Sequence, residues 1–343
     1  VLRALDQLAD IDNDDGITMM GITMKKTALS VAALLALGIG SASAADLGKK
    51  LYIKAPPVVA AVPAWDLAFG GGLASDYIFR GITQSNHKPS VSAYFEPRFN
   101  INPNFQVYAG VAGSSIAFPN RAAAEIDLYG GVRPTFGPVS LDLGGIYYWY
   151  PGGQCFNAVI CPTGPGNLPI NGNVAKADAS YFEVYGKGTW AVTDIVSVGG
   201  NVYYTRNFLN TGANGTYASA TAKITAPAGM LPNDLGAYVS GEYGRQWLGT
   251  TDAFYALTQL PDYNTWNIGI GFTWKVVTLD LRYYDTSLNK GDCNAITGDH
   301  TAFAGVGTQF VTAANPGGFG SNWCDARFVG KLSFDISAMQ NLK

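Results

Sequence analysis

Charge is scarce in this chain. Asp, Glu, Lys and Arg make up 14% of its 343 residues, against about 25% in an ordinary soluble domain. So little charge argues against a soluble helical enzyme. Histidine is almost missing, with only His87 and His300, and the four cysteines fit no zinc spacing. A His/Cys metal centre therefore lacks a ligand set. Long apolar runs are also lacking, and a mean hydropathy of +0.08 excludes a bundle of membrane-spanning helices. No stretch beyond residue 65 keeps a helical period.

What the chain does have is 19 Tyr, 17 Phe, 7 Trp and 42 Gly. Moderate hydropathy with many aromatics and small residues fits strands that alternate between a lipid-facing and a water-facing side.

The first residues bear on the compartment. Met24-Lys25-Lys26 is a basic start, residues 28–39 form an apolar stretch, and Ala42-Ser43-Ala44 is a small-residue cleavage pattern. Together they read as a secretory signal peptide over 24–44, cut near Ala44. Residues 1–23 then read as an upstream extension ahead of the true start. Their acidic run Asp10–Asp15 lacks the glutamate that closes a calcium loop. Residues 1–44 carry Arg3, Lys25 and Lys26 against Asp6, Asp10, Asp12, Asp14 and Asp15, so removing them moves the formal charge from −3 to −1. A nearly neutral chain has no basic footprint for nucleic acid. Residues 45–64, with Lys54-Ala55-Pro56-Pro57 and Val62-Pro63, read as an extended linker on the periplasmic side.

From Trp65 to about residue 335 the pattern is strand after strand. The clearest runs from Tyr263 to Trp274. Trp266, Ile268, Ile270, Phe272 and Trp274 share one face; Thr265, Asn267, Gly269, Gly271 and Thr273 share the other. The two tryptophans lie ~26 Å apart along such a strand, or roughly 20 Å of bilayer after tilting. Similar alternation begins at Trp65, Ala93, Ile126, Leu141, Phe182, Val196, Leu235, Leu279 and Phe328.

Short turns at 102–104, 135–138, 193–194 and 275–276 alternate with long Gly/Asn/Pro-rich loops at 151–177, 207–215 and 288–324. Short periplasmic turns opposite long outer loops are typical of membrane barrels. Eleven strands would put Lys275-Val276 on the wrong side. Admitting the Ala/Thr-rich segment Tyr217–Ala226, with a turn at Gly229–Asn233, restores parity. The expected fold is all-β: one transmembrane antiparallel β-barrel of roughly 12 strands over 65–335, both ends periplasmic, with residues 336–343 as a tail.

Charges in the spanning zone should face the lumen, because each costs several kcal/mol against lipid. The candidates for the pore lining are Asp76, Arg80, Glu96, Arg98, Glu125, Asp127, Arg133, Asp142, Glu183, Lys187, Glu242, Asp280 and Arg282. Both signs are mixed, so the set reads either as a field that tunes permeation or as ion pairs that brace the wall. Cys155, Cys161, Cys293 and Cys324 fall in predicted loops of an exported chain and are disulfide candidates, most simply paired within each loop.

Enzyme signatures are weak. Ser85 lies near His87 in an outer loop, a faint hint of lipid hydrolysis; Glu125 and Asp127 lack a second element for acid–base work. Asp292, Asp299 and Asp325 have no calcium-loop spacing, and the Gly-rich stretches precede no helix that could cradle phosphate. No catalytic, cofactor-binding or metal-binding set is expected, and no cofactor.

Leu73-Ala74-Ser75-Asp76-Tyr77-Ile78-Phe79-Arg80-Gly81-Ile82-Thr83-Gln84-Ser85 resembles the N-terminal hallmark of the TorF-type porin family. Tyr108–Val111 with Gly113-Ser114, and Glu125–Gly131, resemble that family's next two blocks. The Lys54–Pro57 linker is similar to the N-termini of alphaproteobacterial porins. The resemblance implies a porin-like channel without a defined substrate. Tyr77 and Phe79 would then join an outer aromatic girdle with Trp65, Trp149, Trp190, Trp266 and Trp274, while Asp76 and Arg80 face inward. The expected partners are outer-membrane lipid, small hydrophilic solutes and the outer-membrane assembly machinery, with the oligomeric state open. The expected role is passive diffusion of small hydrophilic solutes or ions through the outer membrane of a Gram-negative cell. The alternatives are a plugged structural or adhesive barrel and, further off, a lipid-hydrolysing barrel.

Overall fold

A computed structural model of the chain describes residues 63–157, 159–161 and 171–342. The signal peptide, the upstream residues and nearly all of the Pro-rich linker lie outside the described residues.

Twelve strands close into one antiparallel barrel: β1 (Trp65–Ala74), β2 (Ser90–Asn102), β3 (Phe105–Ser114), β4 (Glu125–Phe136), β5 (Val139–Trp149), β6 (Tyr181–Ala191), β7 (Val196–Thr205), β8 (Gly215–Thr225), β9 (Gly236–Leu248), β10 (Tyr263–Trp274), β11 (Val277–Thr286) and β12 (Arg327–Ser337). Each strand pairs with its sequence neighbours, and β1 closes the ring against β12, from Ala68 opposite Ser337 to Ala74 opposite Lys331. Closure leaves no unpaired edge, so every strand satisfies its backbone groups within the sheet. The weak Ala/Thr-rich segment is β8, paired on both sides with β7 and β9. The last strand runs to Ser337, and a short helical turn, Ala338–Asn341, follows.

Period-2 alternation decides the two faces of this sheet. Outward lie Leu73, Phe95, Leu128, Leu143, Val184, Val202, Ile268, Leu281 and Leu332, all well exposed. Inward lie polar side chains, glycine and tyrosine. The glycines and tyrosines belong together: the rings of Tyr94, Tyr129, Tyr185, Tyr217 and Tyr238 lie over Gly70, Gly110, Gly144, Gly244 and Gly271 of adjacent strands, where a Cβ would collide with them. A bare backbone on one strand makes room for a ring from the next, which accounts for much of the Gly and Tyr excess.

The two ends differ. One rim carries tight connections, among them Pro103-Asn104, Gly137-Pro138 and Lys275-Val276. The other carries long excursions, at residues 75–89, 150–180, 249–262 and 287–326. The buried hydrophobic core lies beneath these long loops rather than in the middle of the barrel. Ile82, Phe118, Tyr150, Phe208, Leu248, Leu260, Tyr263, Ile296 and Trp323 belong to it, with Phe79 packed against them. Helix α1 (Lys290–Thr297) starts on Asn289, whose side chain accepts from the Asp292 amide, and ends on Gly298 at φ +58°, the left-handed stop that glycine favours. Disulfides Cys293–Cys324 and Cys155–Cys161 staple two of the loops, each pairing within its own loop.

Candidate functional site

The lumen collects the polar side chains, and its most consequential occupant comes from the first long loop. Residues 78–83 form a two-rung hairpin, Ile78 opposite Thr83 and Phe79 opposite Ile82. Arg80 (φ +48°) and Gly81 (φ +82°) make its tip. A Cβ on Gly81 would strike the side chains of Thr286 and Thr265 on the barrel wall, so glycine answers both to the backbone conformation and to the close approach.

This hairpin enters the long-loop end of the barrel. The Arg80 guanidinium donates to both oxygens of Glu183 on β6, at 3.0 and 2.7 Å, and to Gln246 Oε1 on β9 at 3.0 Å. It also lies 4.7 Å over the Tyr217 ring and 5.0 Å over Tyr203. Tyr263 on β10 donates its hydroxyl to the Arg80 carbonyl at 3.2 Å. Both Arg80 and Glu183 are buried, with side chains 5% and 1% exposed. A two-pronged pair of this kind fixes orientation as well as charge.

Two expectations fail here. Tyr77 does not reach the outer girdle: its hydroxyl donates to Glu125 on β4 at 2.5 Å. Nor does Phe79, whose ring sits 5.9 Å from Tyr148 inside the barrel. The alternation of Tyr77 and Phe79 imitates a strand end, but the chain leaves the sheet after Ser75, whose backbone amide still bonds Gly330 of β12, and turns inward at the buried Asp76. Trp65, Trp149, Trp190 and Trp274 are outward and about half or more exposed, and Trp266 is outward and partly covered. Trp247 and Phe328 belong to the same outward aromatic set and were not among the expected girdle residues.

The root of the hairpin is tied by Asp76. Its carboxylate accepts from Thr83 Oγ1 at 2.5 Å and Ser85 Oγ at 2.8 Å, and faces His87 Nδ1 at 3.2 Å. Burial pulls this carboxyl upward, but hydrogen bonds from His87, Thr83 and Ser85 outweigh it and hold the group below its ordinary value. Ser85 and His87 thus both bond the same carboxylate, and His87 Nε2 is taken up by Asn322 at 3.0 Å.

The strand-borne candidates of the pore lining face inward; Glu125 and Glu183 hold the hairpin, and most of the others form two networks below it. Along β1–β6, Arg133 clasps Glu96 at 2.7 and 3.1 Å and reaches Asp142 at 3.4 Å, while Arg98 holds Glu96 at 2.6 Å and Asp66 at 3.5 Å. Tyr108 joins Asp142 and Tyr185 by short hydrogen bonds. Along β8–β11, Arg282 binds Asp280 at 2.8 Å and Asn267 at 2.7 Å, Tyr238 donates to Asp280 at 2.8 Å, and Tyr217 donates to Glu242 at 3.0 Å. Asp127 differs from these: one of its oxygens is buried without a partner.

Three lumen amines stand outside the ion pairs of the described residues. Lys187 lies 4.3 Å over Tyr185, Lys223 lies 4.2 Å over Tyr238, and Lys331 is exposed near the middle of β12. Of these only Lys187 was expected from sequence. Asp66, Lys223, Lys331 and Asp335 were missed, although their inward parity on β1, β8 and β12 could have revealed them.

Among the described residues no group of three or more His, Cys, Asp or Glu is placed to hold a metal. Asp292, Asp299 and Asp325 go to separate partners: Asn289, Ser321 with Thr301, and Lys290.

No curated protein matches the chain. Among solved structures, OmpT, an outer membrane protein of Vibrio cholerae, is similar at 9% identity over 82% of this chain and 100% of that one, with a TM-score of 0.34. The NanC porin is similar at 7% identity over 78% and 97%, TM-score 0.37. OccAB1 of Acinetobacter baumannii is similar at 12% identity over 65% of each chain, TM-score 0.29. A family model described as "Bacterial protein of unknown function (Gcw_chp)" matches residues 60–314, most of the barrel from the linker to the last long loop. The chain belongs to the Gcw_chp family.

Proposed function

We propose that this protein is a porin-like channel of the Gram-negative outer membrane, passing small hydrophilic solutes or ions by passive diffusion. The short-turn rim then faces the periplasm and the long loops face outside. The observation that carries the reading is the inward face below the hairpin, where Lys223, Lys331 and Asp335 remain accessible to water within a charged lining. A twelve-stranded ring is larger than the eight-stranded barrels that side chains alone fill. The likeness of Leu73–Ser85 to the TorF-type porin hallmark, and of the linker to alphaproteobacterial porins, points the same way. Partners under this reading are lipid around the apolar belt, the assembly machinery during insertion, and the solutes.

The hairpin narrows the outer end, so the reading implies small conductance steps. A second reading, a plugged structural or adhesive barrel, draws on the same buried Arg80–Glu183 pair. No catalytic role is assigned, since the Ser85 hydroxyl is directed to Asp76 rather than to His87.

Planar-bilayer recording of the purified barrel separates these readings. Discrete steps from the unaltered protein are expected, growing when residues 76–85 are replaced by a short Gly/Ser turn. Silence from the unaltered protein, with current only after the hairpin is cut out, assigns the barrel to the second reading.

A further inference from the structure

Above the hairpin, the long loops surround a cavity of about 460 Å³. Its floor is the upper side of the hairpin, Phe79 and Ile82, and its walls include Phe208, Phe254, Phe319 and Trp323. Four different loops thus contribute rings or branched apolar side chains to one space.

Several polar groups along this wall are already engaged within the protein. Asn173 donates to Asn294 at 2.7 Å, and Asn294 donates to Asn315 at 3.2 Å. Lys176 is neutralised by Asp252 at 2.5 Å and caps the Asn210 carbonyl at 2.7 Å. The Tyr150 hydroxyl is directed away to Glu125 at 2.8 Å, and that of Tyr263 to the Arg80 carbonyl at 3.2 Å. A charged guest would be stripped of water here and meet no free counter-charge, which is strongly unfavourable. An uncharged ring compound would gain from burial and from edge and face contacts with the aromatic wall.

Size narrows the class further. An apolar cavity of about 150 Å³ takes up one benzene, so three times that volume seats a molecule of two fused rings with room to spare. The walls are also preformed: Cys293–Cys324 ties α1, which supplies Asn294 and Ile296, to the segment that supplies Trp323. Preformed, largely apolar concavities of this size are the usual form of small-molecule sites. We propose that the outer cavity is a binding site for a small uncharged aromatic molecule of about two rings, seated on the closed hairpin. It does not depend on the barrel conducting: an electrically silent protein would still bind.

Saturation-transfer NMR on the full barrel, folded in detergent, tests this with indole and 1-naphthol as ligands. Indole-3-acetate and glucose serve as the charged and polar comparisons, and protein-free micelles as the blank. Indole and naphthol should give saturable signals above the blank and displace one another, and indole-3-acetate should bind at least tenfold more weakly. Filling the space with Ala295→Phe or Ala179→Phe should lower indole affinity at least tenfold in whichever variant keeps heat-modifiable migration, while Lys187→Gln in the lumen leaves it unchanged. No signal above the blank, equal binding of indole-3-acetate, failure of the two aromatics to compete, or full binding by a folded cavity-filling variant overturns the proposal.

Discussion

Arg80 and Glu183, 103 residues apart in sequence, meet inside the barrel as a two-pronged ion pair with N–O distances of 3.0 and 2.7 Å. The arginine belongs to the first long loop and the carboxylate to β6, so the pair ties the inward hairpin to another part of the wall.

Removing one partner leaves a buried charge without its counter-charge. Arg80→Met is expected to destabilise the barrel by about 3–5 kcal/mol, and Arg80→Met with Glu183→Met to recover most of that loss. Denaturant titration of the two single variants and the double variant measures the coupling. Additive losses would show that the pair does not act as a unit.

Ile268 and Asn267 are neighbours on β10 that point opposite ways. Ile268→Arg should cost about 2–4 kcal/mol because it places a charge against lipid near mid-strand, whereas Asn267→Arg should be far milder. Folding yield into liposomes at increasing urea compares them. Equal penalties would mean the inside–outside assignment is wrong.

Gly271 lies beneath the Tyr238 ring, and a Cβ there would collide with it. Gly271→Val is expected to cost about 1–3 kcal/mol through overpacking. Gly137 has no atom near its would-be Cβ but sits at φ +56°, so Gly137→Asn, which tolerates that conformation, should be nearly neutral. The midpoint of unfolding in urea reads both.

The Cys293–Cys324 bridge spans 31 residues. Opening it should withdraw about 3–4 kcal/mol of chain-entropy stabilisation from that loop. Limited proteolysis after reduction is therefore expected to cut within residues 294–323 and leave the strands intact. Resistance equal to that of the oxidised protein would show that packing alone holds the loop.

Asp76 holds the root of the hairpin, and its carboxyl is kept below its ordinary value of 3.8. A group lowered on folding adds stability above the unfolded value, and that contribution fades as pH falls through the folded one. The hairpin should therefore be indifferent to pH at and above neutrality and loosen only in acid, below about pH 3.8. Protease access to residues 80–88, using an acid-active protease, tracks this. Asp76→Asn should remove the dependence.

Much of the barrel was legible in the sequence because a closed sheet with an apolar outside and a polar inside must alternate. Even β8, poor in large residues, could be placed, since the turn at Lys275-Val276 needs an even number of preceding crossings. The hairpin was not legible. Tyr77 and Phe79 alternate just as strand residues do, and what turns them inward lies far along the chain: Glu125, Glu183 and Gln246. Local pattern carries no information about partners 48 to 166 residues away. Lys223 was passed over for a different reason: an Ala/Thr-rich strand gives too faint an alternation for its charged member to stand out.

The pairing of β1 with β12 has a temporal consequence. Every other ladder joins strands that follow one another and can zip as the chain is delivered, but this one must wait for both extremities of the barrel. The joint is therefore the last to be made. Asp66 reinforces it by gripping Ser337 Oγ at 2.9 Å and the Met339 amide at 3.0 Å. A lesion there would let the twelve strands form and still leave an open, sticky sheet in place of a sealed cylinder.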